Sequence, residues 1–316
     1  MADKIAILIP CYNEEITIGK VIDDFRKELP DADIYVYDNN SSDRTNEIAK
    51  EHGAIVKFES RQGKGNVVRS MFREIDADYY IMVDGDDTYP ADRVKDLLEP
   101  LQAGLADMTV GDRISNGTYG EENKRAFHGF GNNLVRFLIK AIYGHAFDDV
   151  MTGYRGFTRT FVKTFPVTSP EFQIETEISI HAVGKRWRII NVPIEYRDRP
   201  EGSESKLNTI FDGAAVLKAI TTLCRDTKPL LFFSLLSIIT FCIALIFGVP
   251  VIIEYFSTGL VERFPTAILS ASIAILAGLF LTCGIMLDTV VSSHNRNWEL
   301  KVYEVEKESE RLRNSR

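Results

Sequence analysis

The chain has 316 residues, enough for one large domain with an appendage or for two ordinary domains. Its formal net charge of -8 at pH 7 leaves no overall positive field, which excludes a general attraction to nucleic acid. The cysteines show no C-x-x-C spacing, so they count against a zinc site or a disulfide framework and indicate a reducing cytoplasm. They are Cys11, Cys224, Cys242 and Cys283.

The first hundred or so residues alternate short apolar runs with amphipathic stretches, the pattern of strand and helix units around a mostly parallel sheet. The first run, Ile5–Ile9, is interrupted by Pro10 and is too short for a signal peptide, so we expect this domain to stay in the cytoplasm. Polar groups follow strands at Asn13, Asp38 and Asp84, where open α/β sheets bind ligands. The predicted strands are Lys4–Pro10, Asp33–Asp38, Ala54–Glu59, Tyr79–Asp84 and Asp107–Asp112, and the predicted helices are Thr17–Leu29, Asp43–His52 and Asn66–Ile75.

Two stretches near the C-terminus contain no charged residue, Leu230–Ile253 and Phe264–Leu287, and each is 24 residues long. Both exceed the ~20 residues that a membrane-spanning helix needs, although buried core helices have a similar composition. Basic residues flank the pair, while the connecting loop has only Arg263, so the positive-inside rule places both flanks in the cytoplasm. The flanking basic residues are Lys218, Arg225, Lys228, His294, Arg296 and Lys301.

The segments around these stretches complete the predicted organisation. Leu207–Thr227 is amphipathic, and it either lies along the membrane surface or packs on the N-terminal domain. Trp298–Arg316 mixes Glu with Lys and Arg at helical spacing, which predicts a solvated cytoplasmic helix. We divide the chain into an α/β domain (1–206), a juxtamembrane helix (207–228), two transmembrane helices within 229–290 (about 230–253 and 264–287) and a C-terminal helix (291–316). Small residues favour close packing of the two spans within one chain or in a homo-oligomer: Ala271, Ala274, Ala277 and Gly278.

The most informative local pattern is Val83-Asp84-Gly85-Asp86-Asp87, where a predicted strand ends in three acidic residues around a glycine. Hard divalent cations prefer carboxylate oxygens, and a diphosphate supplies their remaining ligands. An acidic surface turn has the same composition, so the pattern alone leaves both interpretations open. Asp38 ends an earlier strand, where its carboxylate is placed either to accept hydrogen bonds from a ribose or base, or to form an ordinary turn and helix cap.

Four ordered blocks resemble family 2 glycosyltransferases with the GT-A fold: Ile9–Glu15, the Asp38–Asp43 turn, Gly63–Asn66 and Asp84–Asp87. Three later blocks resemble the branch that acts on dolichyl and polyprenyl phosphates: Asp149–Arg155, Phe172–Glu177 and Arg197–Lys206. With the two C-terminal spans, the resemblance covers nearly the whole chain. It implies an α/β, Rossmann-like GT-A domain that binds a nucleotide-sugar, followed by a juxtamembrane helix and a two-helix transmembrane hairpin.

The resemblance also implies which residues bind the donor. The nucleotide-sugar site comprises Pro10, Tyr12, Glu14, Asp38, Lys64 and Asp84. In it, Asp38 holds the base or ribose, and Lys64 lies in a loop whose backbone N–H groups and ammonium approach phosphate. Asp84 and Asp86 lie at the diphosphate with Mg²⁺ or Mn²⁺, and Asp86 is the more direct metal ligand. Outside this context, a Gly-Lys-Gly sequence is more typical of a plain surface turn.

The expected catalytic residues are Asp86, Arg113, Glu177, Arg199 and Lys206. By resemblance, Arg113 lies near the acceptor phosphate, and Arg199 with Lys206 forms a second basic element, for which the planar arginine fork is suited. Glu177 contacts sugar hydroxyls or orients a basic residue, unless it is an ordinary helix-surface glutamate. Glu175, two residues away, points elsewhere on the same helix.

One block departs from the resemblance. Several dolichyl-phosphate mannosyltransferases have a second arginine close before a Gly-Asn pair, whereas this chain has His128-Gly129-Phe130-Gly131-Asn132. Lys124 and Arg125 lie slightly earlier. The family's arrangement of cations around the acceptor therefore does not transfer to this chain in full.

The expected reaction is an inverting, single-displacement transfer of a sugar from a nucleotide-sugar to a polyprenyl phosphate at the membrane. A phosphate monoester is already anionic near neutral pH, so it needs positioning and cation stabilisation of the leaving diphosphate more than a strong general base. The resemblance favours a UDP-hexose or UDP-N-acetylhexosamine donor and an undecaprenyl or dolichyl acceptor. It implies cell-envelope glycan or glycoconjugate modification at a bacterial or archaeal inner or plasma membrane.

Two alternative functions remain open at this point. A processive polysaccharide synthase shares the nucleotide-binding half, but such enzymes have a Q-x-x-R-W motif and more spans. Here Lys185-Arg186-Trp187 has no glutamine three residues before its arginine. The other alternative is a non-catalytic membrane adaptor that keeps the nucleotide fold, against which the intact Asp38, Asp84, Asp86 and Arg199 speak.

Overall fold

A computed structural model describes residues 3–114, 140, 149–171, 173–197, 200, 221–222 and 224–315. The chain forms two compact units. One consists of Met1–Ile220 together with Leu300–Arg316, and the other of Thr221–Glu299. The first unit has a mixed α/β fold, and the second is helical.

The described part of the first unit contains seven strands: β1 Ile5–Cys11, β2 Asp33–Asp38, β3 Ile55–Phe58, β4 Tyr79–Met82, β5 Met108–Asp112, β6 Arg155–Thr158 and β7 Ile189–Pro193. They form one sheet in the order β3-β2-β1-β4-β6-β5-β7. The first four strands are parallel to one another, and β5 is parallel to β7. In contrast, β6 runs antiparallel to both of its neighbours, β4 and β5.

Helices connect these strands: α1 Ile18–Glu28, α2 Thr45–Glu51, α3 Lys64–Glu74, a 3-10 turn Ala91–Arg93, α4 Val94–Gln102, α5 Arg159–Thr164 and α6 Ile174–Gly184. The helix α1 shows why these segments are helical, because Ile18, Val21, Ile22 and Phe25 recur at helical spacing and are all buried. The opposite, polar face of the helix therefore faces solvent.

The centre of the sheet is the core of this unit. Ala6–Ile9 in β1 and Tyr80–Met82 in β4 have no exposed surface. Strands covered on both faces read as continuous apolar runs, which is why these two were recognisable in the sequence. Ile55 and Phe58 in the edge strand β3 are exposed. The buried central strands fix the positions of the polar loops that follow their carboxyl ends.

The α/β, GT-A-like fold expected from the sequence is confirmed, and strands occur at all five predicted places. The strands β6 and β7 were not predicted. In β6 the reason is clear, because Arg155 and Gly156 are atypical of a central strand, yet the Arg155 side chain is completely buried. The fourth strand also ends earlier than predicted, at Met82, so Asp84 lies in the following loop.

The second unit contains the helix α7, Pro229–Thr258, and most of the helix α8, Phe264–Ser315. Both are long and apolar enough to cross a membrane, with mean hydropathies of 2.8 and 2.3 in their most apolar windows. Only 11% of each window is buried, which distinguishes these helices from the core helices of a soluble domain. The tail helix expected from Trp298 is a continuation of α8 rather than a separate element.

The two apolar helices form a hairpin. Pro229 occupies the first turn of α7, and Gly259 ends it with a left-handed φ of 72°, both typical helix boundaries. Ser237 Oγ donates to the carbonyl of Ala277 (2.7 Å). Nearer the connecting loop, Ser270 Oγ donates to the carbonyl of Ala244 (2.9 Å). These side-chain hydrogen bonds join the helices at two levels, as polar residues do between membrane helices.

Candidate active site

The candidate site lies at the carboxyl edge of the central strands, where the loops after β1, β2 and β4 contact one another. The backbone N–H of Asn13 donates to Ser41 Oγ (2.9 Å), and the backbone N–H of Ser42 donates to Asn13 Oδ1 (2.7 Å). Thr17 Oγ1 donates to the carbonyl of Gly85 (2.6 Å). The three loops therefore form one continuous polar surface, in the position where open α/β sheets bind ligands.

The residues expected at the nucleoside lie on the first two of these loops. Pro10 is near the end of β1, beside the strand that ends at Asp38. Asp38 is buried, and its Oδ1 accepts the backbone N–H of Ser41 (3.0 Å). Tyr12 has 39% of its surface exposed, and Glu14 is half-buried in the same loop. The structure thus brings the four expected residues to one edge of the sheet, where Tyr12 is exposed and the Asp38 carboxylate is buried.

Asn39 joins the loop after β2 to the turn that begins α3. Its side chain donates to the carbonyls of Glu59 (2.9 Å) and Arg61 (2.8 Å), and its Oδ1 accepts the backbone N–H of Gly63 (2.7 Å). Hydrogen bonds from Arg61, together with one from Ser70, lower the pKa of the Glu59 carboxyl to about 2 despite burial. The hydrogen bonds of Asn39 were not predicted from the sequence. Their only signal there is that Asn39 is a polar residue directly after the end of β2.

The region expected to bind the diphosphate contains a buried lysine between two carboxylates. Lys64 Nζ lies 2.5 Å from Asp84 Oδ1 and 2.5 Å from Glu175 Oε1. Only 10% of the Lys64 side chain is exposed. Burial by itself would lower the pKa of Lys64, but the charges of Asp84 and Glu175 raise it above its ordinary value. We refer to Asp84, Lys64 and Glu175 as the lysine bridge; of its members, only Glu175 was not expected at the site.

The other acidic residues of the Asp84–Asp87 cluster have different surroundings. Asp86 is 5% exposed, and its Oδ1 accepts a hydrogen bond from Thr88 Oγ1 (2.6 Å). Asp87 adopts a left-handed conformation (φ 58°) and pairs with Lys20 (2.7 Å), whose side chain is 54% exposed. Asp84 and Asp86 are therefore the carboxylates held at the site, while Asp87 pairs with a surface lysine.

Two glycines permit close contacts at this carboxylate pair. A Cβ atom on Gly153 would lie 2.8 Å from Asp84 Cγ and nearer still to a carboxylate oxygen. A Cβ atom on Gly85 would lie 2.8 Å from Cys11 Sγ. Such distances are too short for a side chain, so both positions need glycine for the close approach rather than for an unusual φ. The Gly153 backbone therefore lies directly against the Asp84 carboxylate.

In the part of the chain that the structure describes, no group of three or more His, Cys, Asp or Glu side chains is arranged to hold a metal ion. Asp84 and Asp86 provide carboxylate oxygens on either side of Gly85. Mg²⁺ usually binds one or two carboxylates together with waters and substrate phosphates, and Mn²⁺ accepts the same oxygen ligands. This donor set therefore fits a divalent ion that binds together with a diphosphate.

Arg113 forms a buried ion pair with Asp149. Its Nε donates to Asp149 Oδ2 (2.6 Å) and its Nη2 to Asp149 Oδ1 (3.1 Å). The guanidinium also lies over the rings of Tyr89 (5.9 Å) and Tyr196 (5.2 Å). Burial would raise the pKa of Asp149, but the Arg113 charge lowers it below the ordinary value. The arginine expected near the acceptor phosphate is thus held in a fixed orientation by a carboxylate that the sequence analysis did not single out.

A second buried arginine shapes the loop between Asp149 and Gly153. Arg155 Nη2 donates to the carbonyl of Val150 (2.6 Å), and its Nε donates to the carbonyl of Thr152 (3.0 Å). Complete burial lowers the pKa of Arg155 to about 10. This loop links the two sides of the site, since Asp149 pairs with Arg113 at one end and Gly153 contacts Asp84 at the other.

Glu177 is buried and supports the turn at Lys64. Its carboxylate accepts the backbone N–H groups of Thr168 (3.0 Å) and Ser169 (2.8 Å), as well as the Thr168 hydroxyl. The carbonyl of Ser169 lies directly against Gly65, the residue after Lys64. Glu177 is therefore not a helix-surface glutamate, and the basic residue of this region is oriented by Glu175.

The second basic element expected for the acceptor, Arg199 and Lys206, lies outside the described residues. The segment that departs from the family, His128–Asn132 with Lys124 and Arg125, also lies outside them, as does most of the expected juxtamembrane helix. Of the residues expected near the acceptor, the structure describes Arg113, which pairs with Asp149 and lies over two tyrosine rings, and Glu177.

Comparison with known proteins identifies the family. The profile described as Glycosyl transferase family 2 matches residues 6–165. The chain belongs to glycosyltransferase family 2. This family 2 glycosyltransferase is 32% identical over 293 residues to glycosyltransferase AglJ of Haloferax volcanii, a match that covers 92% of this chain and 95% of that protein. It is 31% identical over 226 residues to the dolichyl-phosphate hexose transferase of the same organism, covering 72% and 96%.

Solved structures share the fold of this family 2 enzyme. Glucosyl-3-phosphoglycerate synthase from Mycobacterium tuberculosis, crystallised with Mn²⁺, UDP and glucosyl-3-phosphoglycerate, matches with a TM-score of 0.57 and 21% identity. The match covers 71% of this chain and 80% of that one. The family expected from the ordered blocks of the sequence is thus confirmed, together with its fold.

Proposed function

We propose that this family 2 glycosyltransferase transfers a hexose or N-acetylhexosamine from UDP to a polyprenyl phosphate, undecaprenyl or dolichyl, with inversion at the sugar. The observation that carries the proposal is the meeting of Asp38, the Asp84–Asp86 pair and Lys64 at one sheet edge, in a chain that also has two apolar helices. The product, a lipid-linked monosaccharide, would serve cell-envelope glycan or glycoconjugate modification.

The donor assignment follows from the chemistry of the first loops. Asp38 is a buried carboxylate at the same sheet edge as the exposed Tyr12, a combination suited to hydrogen bonding and stacking with a nucleoside. Asp84, Asp86 and Lys64 lie where the diphosphate would follow. When bound, Mg²⁺ or Mn²⁺ would neutralise the negative charge on the leaving diphosphate. A UDP donor is consistent with the structural neighbour that was crystallised with UDP and Mn²⁺.

The acceptor assignment is based on cations and on the relatives. A lipid phosphate needs an oriented positive charge, and Arg113 is fixed by Asp149 and two tyrosine rings. Arg199 and Lys206 are proposed to complete this site, with Glu177 as a positioning residue. Because the acceptor phosphate is already anionic, positioning replaces a strong general base. The relative named dolichyl-phosphate hexose transferase supports a lipid phosphate as acceptor.

The division into units supports a topology with both termini in the cytoplasm. Residues before and after the apolar helices belong to the same compact unit. Within it, Arg159 Nη1 donates to Ser309 Oγ (3.0 Å). We therefore propose that both ends of the chain lie on one side of the membrane and that the segment between them crosses it an even number of times. The basic residues that flank the apolar helices support the cytoplasm as that side. We include a homo-oligomer in the proposal, since an added Cβ at Gly278 would meet nothing within 4 Å in one chain.

Mass analysis of the lipid product tests the proposed function. The purified full chain in detergent would be given UDP-glucose, UDP-N-acetylglucosamine and GDP-mannose in turn, with undecaprenyl or dolichyl phosphate and Mg²⁺ or Mn²⁺. We expect a lipid phosphate carrying one sugar, and no such product after thorough chelation. Polymer formation would support a processive synthase instead. Absence of metal-dependent nucleotide-sugar binding and of any product would indicate an adaptor.

A further inference from the structure

We propose that Lys64 occupies the Asp84 carboxylate in the donor-free enzyme and transfers to the donor diphosphate when donor and metal bind, with Glu175 as its permanent anchor. This inference rests on the proposed function, because it needs a diphosphate donor and a divalent ion at Asp84. It assigns Glu175 as a positioning residue and predicts that the metal binds with the donor rather than before it.

The contacts of Lys64 make such an exchange possible. Its Nζ is 2.5 Å from one oxygen of Asp84 and 2.5 Å from one oxygen of Glu175. An ammonium has three N–H donors on a flexible stem and no fixed fork, so it can change one oxygen partner while keeping another. Glu175 has only 7% of its side chain exposed, whereas Asp84 has 26%. The more accessible of the two partners is therefore the one that a ligand reaches first.

The surroundings of the lysine bridge restrict movement to the lysine side chain. The Gly153 backbone is packed against the Asp84 carboxylate. The turn that contains Lys64 is held from outside, since the backbone N–H of Asn66 donates to the carbonyl of Pro170 (3.1 Å) and an added Cβ at Gly65 would overlap Ser169. With the carboxylate and the turn both supported, the lysine stem is the part that can exchange partners.

Charge explains why the metal alone would bind weakly. A divalent ion at Asp84 must displace an ammonium that is already in hydrogen-bond contact, and that ammonium would be left next to the incoming charge. A diphosphate removes both costs, because its oxygens accept the displaced ammonium and also bind the metal. Metal and nucleoside diphosphate should therefore each increase the affinity for the other, as linkage requires.

Mn²⁺ titration of the full-length protein in detergent, followed by the electron paramagnetic resonance signal of free Mn²⁺, tests this coupling. Each protein is titrated with and without saturating UDP, or GDP if the donor panel identifies a guanine nucleotide. In the parent we expect UDP to tighten Mn²⁺ binding. In Lys64→Met, Mn²⁺ alone should bind about tenfold more tightly than in the parent, and the coupling to UDP should fall about tenfold.

Two further variants separate this role from a general loss of charge or structure. Glu175→Gln keeps the lysine beside Asp84, so its affinity for Mn²⁺ alone should be no higher than that of the parent. Lys57→Met removes a lysine from the exposed pair with Glu74 (2.9 Å) and should leave both affinities unchanged.

The outcomes distinguish the inference from the proposed function. If UDP tightens Mn²⁺ binding in the parent and Lys64→Met has the same or weaker affinity for Mn²⁺ alone, the exchange of Lys64 is wrong while the donor site stands. If neither UDP nor GDP affects Mn²⁺ binding in the parent, the metal-dependent donor site is itself wrong and the inference falls with it.

Discussion

Lys64 and Arg113 are cations buried to nearly the same extent, with 10% and 9% of their side chains exposed, yet their surroundings differ. Lys64 makes one contact to each of two carboxylates. Arg113 places two donors on a single carboxylate, Asp149, and lies over two aromatic rings. Equal burial therefore does not imply equal mobility: the lysine can exchange one partner, whereas the arginine fork is held as a unit.

The largest expected effect comes from replacing the buried arginine, Arg113. Arg113→Met leaves the buried Asp149 carboxylate without its guanidinium, so the free energy of unfolding should fall by about 3–5 kcal/mol. Arg188→Met is the matched control, since Arg188 also forks onto an aspartate, Asp107, but is 59% exposed. That variant should lose no more than about 1 kcal/mol. Denaturant unfolding in detergent measures both.

An unchanged stability of Arg113→Met, combined with reduced transfer, would contradict the comparison. Arg113 would then be an exchangeable ligand-binding cation like Lys64. Equal losses for Arg113→Met and Arg188→Met would indicate that burial of the pair contributes little.

Variants of the proposed metal site, which includes the Lys64 partner Asp84, should lose turnover rather than stability. Asp86→Asn removes a charged oxygen from the proposed metal site, and we expect transfer to fall about 10²–10³-fold with little change in unfolding. Asp87→Asn is the control, because Asp87 pairs with the exposed Lys20 and asparagine tolerates its left-handed φ of 58°. Product formation at saturating donor and Mn²⁺ distinguishes them. Similar rates for the two variants would remove Asp86 from the catalytic set.

His181 shows what burial does to a base that packs among aromatic rings. It contacts Phe161 and Phe165, and burial lowers its pKa from 6.5 to about 3. The unfolded chain therefore binds a proton that the folded chain does not, and stability is lost as pH falls below 6.5. Between pH 7.5 and 5 this loss should be about 2 kcal/mol.

His181→Phe isolates that contribution, since phenylalanine keeps the ring and cannot be protonated. The difference in unfolding free energy between parent and variant should change by about 2 kcal/mol over the same pH range. Parallel pH profiles for the two proteins would show that His181 does not titrate between the folded and unfolded states in this range.

The smallest expected effect tests the support of the lysine bridge. A Cβ added at Gly153 would lie 2.8 Å from Asp84 Cγ, so Gly153→Ala must move the carboxylate or the loop. Because catalysis depends on position, transfer should fall about tenfold. Lys57→Met removes the exposed ion pair with Glu74, and transfer should be unchanged. Equal turnover in both variants would show that the Gly153 contact does not position Asp84.

The sequence predicted the parts of the fold in which local pattern and tertiary environment agree. The buried strands β1 and β4 read as apolar runs. The polar residues that follow the early strands indicated the sheet edge at which the candidate site lies. The strand β6 was missed because Arg155 is buried by donating to the carbonyls of Val150 and Thr152, a contact that no local pattern reveals. Tertiary packing decided its structure against its local propensity.

The site shows the same division between local and long-range information. The Asp84–Asp87 cluster is contiguous in sequence and was recognised, as was Lys64. The pairing of Lys64 with Glu175 joins residues more than a hundred positions apart, so spacing could not indicate it. Choosing between Glu175 and Glu177 required knowing which face of α6 meets Lys64 and which meets the loop at Thr168.

Leu300–Arg316 at the end of the chain belong to the first unit, and this affects how the unit folds during biosynthesis. A domain usually folds as it leaves the ribosome, beginning with its N-terminal part. Here Ser309 contacts Arg159, and both belong to a unit whose two pieces are separated in sequence by the apolar hairpin. The ribosome must therefore deliver both hydrophobic helices before this unit can be completed. Under the proposed topology and function, this enzyme is finished only after its chain has reached the membrane in which its lipid acceptor would reside.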